Sequence, residues 1–301
     1  MRLRARAAAL AGLAACALTA CAAPKPSLYE LGVGSVGQGR QDEALVDLRG
    51  AVDQDPSDPV AREALAALLY RRGWLSGATQ AWEQVLARKS ADPAGAGSRY
   101  GPAAADSARR RATAALLEIY LARGASDTSD ALWSDAAADY QRVTELDPDN
   151  VAAWPGLAEA AGRLGDKNAA YLAYQRCFAL IPGNPDMAWG YGTAAHGLGK
   201  LDEAALAYGR YTALKPDDAK GWNNAATVLV ELGRYDEAVA CFDKALALQP
   251  ALIAALNGKA SAYFFQKRYE DARGWWARVL DLAPDDPDAT QNMRTLVKMG
   301  Y

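Results

Sequence analysis

Few side chains in this chain of 301 residues are of a type that does acid–base, metal or redox chemistry. There is one histidine, His196, and there are four cysteines: Cys16, Cys21, Cys177 and Cys241. Histidine is the commonest general base and metal ligand in enzymes, and the cysteines are too few and too unevenly spaced for a zinc module or a disulfide scaffold. The sequence also lacks paired carboxylates and a nucleophile–base set. We therefore expect a non-enzymatic protein with no metal and no cofactor.

Two sequence patterns suggest ligands but are explained better as structure. Gly32 to Gly37 matches G-x-G-x-x-G, yet a dinucleotide site needs a strand before the glycines, and the preceding residues, Ala22 to Pro26, include two prolines. The acidic stretches 147–150 and 285–288 lack the spaced ligands of a calcium loop. Because Asp and Asn are strong helix N-caps, we interpret both stretches as caps between helices.

Composition excludes several classes of protein. The chain is 51% apolar and 23% charged, with a formal net charge of −3. Such a chain is not disordered throughout, and it has no basic footprint for nucleic acid. We expect neither nucleic acid nor a small-molecule substrate as a ligand.

The N-terminus has the features of a bacterial secretion signal. Three arginines in the first six residues precede an Ala/Leu run that is too short to span a bilayer comfortably. The run ends Leu18-Thr19-Ala20-Cys21, which resembles the lipoprotein cleavage box. This predicts a signal peptide over 1–20, an acylated Cys21 and a tether over 21–26. The alternatives are lipidation at Cys16 and an ordinary signal peptide that is cut near Ala23. By the same resemblance, alanine at position 22 implies sorting to the periplasmic face of the outer membrane.

The rest of the chain repeats with a period of 34 residues. Prolines 148, 182, 216, 250 and 284 are spaced by this period, and the segment 219–252 shows the pattern best: Trp222, Ala226, Leu229, Gly233, Tyr235, Ala238, Phe242, Ala245 and Pro250. This pattern resembles the tetratricopeptide repeat (TPR), a helix–turn–helix of that length. The resemblance implies an all-α solenoid, in which each repeat buries its apolar face only against its neighbours.

The repeat pattern divides the chain into segments. Repeats one and two cover 25–92, an Ala/Gly/Pro linker covers 93–109, repeats three to seven cover 110–286, and a capping helix covers 287–301. Repeat three, at 110–150, fits only with seven extra residues near Ala125–Ala131. The linker is either a hinge or partner-contacting loop, or a tolerated surface insertion. We expect the glycine-rich first repeat to be the softest, since interior helix glycines cost about 1 kcal/mol each.

The family also implies a peptide groove. In TPR proteins, positions 2, 5, 9, 12 and 13 of the first helix in each repeat line the concave face. The residues at or beside these positions are Trp189, Thr193, His196, Lys220, Asn223, Asn224, Thr227, Val230, Asn257, Ser261, Phe264 and Phe265. Amides can pair with an extended peptide backbone, and aromatic side chains offer apolar anchors. The alternatives are a purely structural role for His196 and packing of Phe264 or Phe265 on the capping helix. Cys177 and Cys241, which a whole repeat separates, are expected to be free, buried thiols.

The combination of a lipid anchor and TPR repeats resembles the TPR lipoproteins of tight-adherence and type IV pilus systems, which help secretin rings to assemble. It implies a scaffold for a pilus or secretion machine, with a secretin or pilus component in the groove. The other hypothesis is an adaptor that docks peptidoglycan hydrolases or envelope proteases.

Overall fold

The structure is a computed structural model that describes residues 26–87 and 100–301. The signal peptide, Cys16, Cys21 and the first part of the linker lie outside this range. The described residues form fifteen helices and no strand, which confirms the all-α prediction. The helices are α1 Leu28–Gly37, α2 Gln41–Gln54, α3 Pro59–Arg71, α4 Leu75–Leu86, α5 Gly101–Ser129, α6 Trp133–Leu146, α7 Ala153–Leu164, α8 Lys167–Leu180, α9 Pro185–Gly197, α10 Leu201–Leu214, α11 Ala219–Glu231, α12 Tyr235–Leu248, α13 Ile253–Phe265, α14 Tyr269–Leu282 and α15 Pro287–Met299.

The chain divides into two compact units, Met1–Ile119 and Tyr120–Tyr301, and the boundary falls inside α5. Unit one contains α1 to α4 and the first part of α5. Unit two contains the rest of α5 and α6 to α15. No helix among the described residues is long and apolar enough to cross a membrane.

A left-handed residue ends the first helix of every repeat. This residue is glycine in five repeats, at Gly39, Gly73, Gly165, Gly199 and Gly233, with φ between 72° and 77°. In the other two repeats it is Ala131, with φ 60°, and Lys267, with φ 63°. Glycine adopts this conformation without the steric cost that a Cβ brings. The seven residues occupy position 15 of their repeats and therefore fix the repeat frame.

That frame corrects the predicted bounds of repeat three. With Ala131 at position 15, the repeat starts at residue 117 rather than 110, and it needs no insertion near Ala125–Ala131. The additional residues instead extend α5 at its N-terminal end, so that 101–109 of the predicted linker are helical. Alanine is the best helix former, and the alanine-rich stretch after Gly101 continues the helix. The end of α5 was misplaced because it lacks the usual glycine.

Small residues and rings alternate in the core of unit two. Position 20 is alanine in each of its repeats and is buried at Ala136, Ala170, Ala204, Ala238 and Ala272. Position 24 carries a ring, at Tyr140, Tyr174, Tyr208, Phe242 and Trp276. A Cβ on Gly190 would lie 2.3 Å from Cε1 of Tyr174, and Gly156 and Gly258 meet Tyr140 and Phe242 as closely. The rings therefore pack directly on the backbone of the next repeat.

The turns between repeats are held by caps. Asp218 accepts from the amide of Lys220 at 2.9 Å, and Asp286 accepts from the amide of Ala289 at 2.8 Å. In the stretch 147–150, Asn150 accepts from the amides of Ala152 and Ala153 at 3.2 Å each, while the N-cap residue of α7 is Ala152, which has no side-chain cap. Helix capping is therefore confirmed for the stretch 285–288, and the stretch 147–150 instead forms a turn held by Asn150. The glycines of the G-x-G-x-x-G pattern lie in α1, where a Cβ on Gly32 would lie 2.7 Å from Leu48.

Candidate functional site

The predicted groove residues lie on three successive first helices of unit two: α9, α11 and α13. Positions 5, 9 and 12 of a helix share one side of it, because they are spaced by four and three residues. We call this side of the three helices the groove face. Lys220 and Thr193 on it are exposed, and most of its other members are half-buried.

The part of the groove face on α9 is built around Trp189. Its ring packs edge-on against Tyr208 and Tyr211, with centroids 5.7 and 5.0 Å away. Thr193 Oγ1 lies 3.0 Å from the Tyr208 hydroxyl. His196 Nε2 lies 3.0 Å from Glu231 Oε1, so the histidine links repeat five to repeat six. This pairing favours the structural interpretation of His196. The contacts with the two tyrosines hold the Trp189 ring in one orientation.

The parts on α11 and α13 carry amides with unused acceptors. Asn223 and Asn257 both occupy position 5, and the Oδ1 atom of each is buried without a hydrogen-bond partner. Their Nδ2 groups donate to Asn224 at 3.4 Å and to Asp286 at 3.3 Å. The hydroxyls of Thr227 and Ser261, by contrast, donate to the carbonyls of residues 223 and 257 in their own helices, at 3.0 and 2.9 Å. Polar character on this face therefore resides in the amides rather than in the hydroxyls.

Phe264 and Phe265 have different environments. Phe264 joins the core cluster that includes Trp276 and Leu296, the latter on α15. Phe265 is 53% exposed and stacks on Tyr235, with ring centroids 5.7 Å apart. This packing favours the structural alternative for Phe264, and Phe265 is the exposed ring of the two.

A cavity of ≈ 490 Å³ opens beside Trp189, between repeats four and five. Its walls are mostly apolar, and Lys167 and Thr193 are its polar members. It is lined by Gly162, Gly165, Lys167, Ala170, Tyr174, Trp189, Gly190, Thr193, Ala194 and Gly197. We call it the groove cavity. Apolar cavities with a few polar groups are the usual form of a side-chain or ligand pocket.

The groove cavity exists because two side chains are missing. Gly162 holds position 12 of repeat four and Gly197 holds position 13 of repeat five. At the next junction the same two positions carry His196 and Glu231, which hydrogen-bond to each other. Sequence reasoning identified Trp189 and Thr193 but missed this cavity. The sequence does indicate the cavity, because two positions that face the groove, 162 and 197, are glycine.

The described residues include two cysteines, Cys177 and Cys241. Burial raises the pKa of Cys177 to about 12, and burial also raises that of Cys241. Both cysteines are free; Cys177 is buried as predicted, whereas Cys241 is only half-buried. Within residues 26–87 and 100–301, no group of three or more His, Cys, Asp or Glu side chains is placed to hold a metal ion.

Comparison with known proteins finds a similarity to one family. Residues 121–185 and 223–287 match the family model of the tetratricopeptide repeat. The helical hairpins within these two segments are therefore TPR repeats. No curated protein matches the sequence significantly.

Two solved structures share the fold at low sequence identity. YrrB, described as a TPR protein with an unusual peptide-binding site, is 20% identical with a TM-score of 0.55; the match covers 58% of this chain and 90% of YrrB. MamA is 21% identical with a TM-score of 0.50, and the match covers 56% of this chain and 91% of MamA. These two likenesses show that the matched part of the chain shares the fold of those structures.

Proposed function

We propose that unit two binds an extended segment of a partner protein along the groove face. The groove cavity beside Trp189 carries this proposal, since it offers a ready-made place for one apolar side chain of the segment. Asn223 and Asn257 then place one side-chain amide on the groove face in each of the next two repeats. A buried acceptor without a donor costs about 1–3 kcal/mol, and rotation of these amides on binding would let a backbone N–H of the segment relieve that cost.

We further propose that the chain is an outer-membrane lipoprotein with its lipid on Cys21, and that it serves in the assembly of a pilus or secretion system. The N-terminal sequence supports the anchor, and the TPR repeats support the scaffold role. In this proposal the partner in the groove is a secretin or a pilus component. The signal and tether are short, so the repeats would lie close to the periplasmic face of the membrane.

An in-cell crosslink tests the proposed partner. A photoreactive residue replaces Thr193, which is exposed at the rim of the groove cavity. Capture of a secretin or pilus subunit is the expected result. A hydrolase or an envelope protease would instead make the chain an adaptor for wall enzymes. Leu172 is 58% exposed on α8 and is not part of the groove face. It is the control position, and equal capture from both positions would contradict a groove contact.

A further inference from the structure

A second cavity, of ≈ 600 Å³, lies between repeats five and six. We call it the junction cavity. Its lining includes Trp222, Ala225 and Leu229 of α11, which lie on the opposite side of that helix from Asn223 and Thr227. The groove face and the junction cavity are therefore separate features of unit two.

Between repeats four and five, the place that corresponds to the junction cavity is filled by tyrosines. Tyr191, at position 7 of repeat five, is 4% exposed. Its ring packs against Tyr171, at a centroid distance of 5.8 Å, and against Phe178, at 5.2 Å. Gln175 donates to the Tyr191 hydroxyl at 3.3 Å. Position 7 of the repeat can therefore accommodate a buried tyrosine side chain.

The junction cavity has lost the corresponding side chains. At the equivalent positions one repeat further along the chain, Ala225 replaces Tyr191, Ala205 replaces Tyr171 and Gly209 replaces Gln175. Thr212 likewise stands for the large Phe178. All four of these small residues line the junction cavity. The junction cavity therefore lies at the place that the Tyr191 side chain fills one repeat earlier, and no side chain of this protein fills it.

The acceptor for a phenol hydroxyl has been kept. In the filled junction, the hydroxyls of Tyr191 and Tyr171 donate to Oε2 of Glu203, the latter at 2.6 Å. The equivalent of Glu203 is Glu237, which also lines the junction cavity. Glu237 is held by Arg234, whose Nε and Nη2 donate to its two oxygens at 2.7 Å each. Each carboxylate oxygen can accept a second hydrogen bond, so Glu237 remains able to accept one from a ligand.

We propose that the junction cavity is a binding site for a tyrosine side chain that a partner protein presents. The ring would occupy the space over Ala225 and Gly209, and its hydroxyl would donate to Glu237. Trp222 forms a fixed wall, because its Nε1 donates to the carbonyl of Pro216 at 2.9 Å and Lys244 lies 4.0 Å from its ring centroid.

The mouth of the junction cavity argues for a protein as the source of the ring. Leu206 lines it and is 62% exposed, and Asp202 and Arg210 beside it are also exposed. An apolar side chain flanked by an acid and a base is the kind of rim that a partner's main chain and neighbouring side chains cover. A small free phenol would leave this rim uncovered.

The test uses two capped tripeptides, Gly-Tyr-Gly and Gly-Phe-Gly, which differ by one hydroxyl. Each is titrated into the full chain while the amide NMR signals of residues that line the junction cavity are followed. We expect the tyrosine peptide to shift the signals of Gly209 and Ala225 saturably and to bind roughly tenfold more tightly than the phenylalanine peptide, since hydrogen bonds to charged groups are the stronger kind. Glu237→Ala should bring this ratio to about 1.

Two variants fill the site from within. Ala225→Tyr places the side chain of the filled junction in the cavity and should abolish binding of both peptides. If that variant does not fold, Gly209→Gln is the replacement, because a Cβ at Gly209 meets no atom within 4 Å. Unshifted lining signals in the wild type, equal affinity for the two peptides, or binding unaffected by the filling variant that folds would each overturn the proposal.

Discussion

At the scale of the residue, the glycines of unit two are of two kinds. Gly190 is required by close packing, since a Cβ there would lie 2.3 Å from the Tyr174 ring. Gly162 has no atom within 4 Å of the Cβ position and is required by no contact. Both line the groove cavity. Gly190 packs under the Tyr174 ring, whereas Gly162 leaves space that a side chain would fill. The same residue type therefore has a packing role at one position and a space-making role at the other.

A matched pair of substitutions separates these roles. Gly190→Ala should destabilise the protein by about 1–3 kcal/mol, because the new methyl group displaces a core ring. Gly162→Ala should stabilise it by about 0.5–1 kcal/mol, because alanine is the better helix former and no clash arises. Urea unfolding of the two variants measures both changes. Equal stability of the two variants would show that Tyr174 does not pack on Gly190 as described.

The polar cluster around Glu203 is the second residue-scale feature. The hydroxyls of Tyr171 and Tyr191 lower the pKa of this carboxyl below its usual value of 4.5. A carboxyl whose pKa is lowered on folding stabilises the protein above its unfolded pKa, and this stabilisation is lost as the pH falls through the folded value. The cluster therefore supports the junction of repeats four and five at neutral pH.

At the scale of the element, the repeats depend on a left-handed residue between their helices. Five of the seven use glycine, and Ala131 and Lys267 adopt the same φ with a side chain. A left-handed L-residue costs about 1–2 kcal/mol. The two exceptions mark turns that are formed by the surrounding repeats in spite of their own sequence.

Lys267→Gly should therefore stabilise the protein by up to about 1 kcal/mol, since the relief of strain exceeds the entropy that glycine adds to the unfolded chain. The measurement is the free energy of unfolding from urea titration. Gly233→Ala, at the equivalent turn one repeat earlier, is the control and should destabilise by about 1 kcal/mol. A loss of stability for Lys267→Gly would mean that the lysine side chain has a role that the turn geometry does not reveal.

The turns also explain how far the sequence could predict the elements. The helices of repeats four to seven follow the 34-residue period of the prolines, which continues through Lys267. Repeat three was shifted, because its left-handed residue is Ala131 and the glycine that marks this turn in five other repeats is missing.

At the scale of the whole molecule, the two cavities of unit two arise by the same means. The groove cavity is open where Gly162 and Gly197 replace a His–Glu pair, and the junction cavity is open where Ala225 and its neighbours replace tyrosines. Sequence reasoning predicted which face carries Trp189 and Asn223, because the repeat frame fixes the side of a helix. It missed both cavities, because a cavity is defined by side chains absent from several repeats at once.

Selection of peptides from a random display library on the full chain tests the central claim, that the groove face binds an extended protein segment. We predict enrichment of peptides with an apolar residue for the groove cavity. Thr193→Arg should weaken their binding at least about tenfold, because a long charged side chain at an exposed rim position would block the cavity. Leu172→Arg, on an exposed part of α8, should leave it unchanged. Selected peptides that bind Thr193→Arg as tightly as wild type would contradict the account.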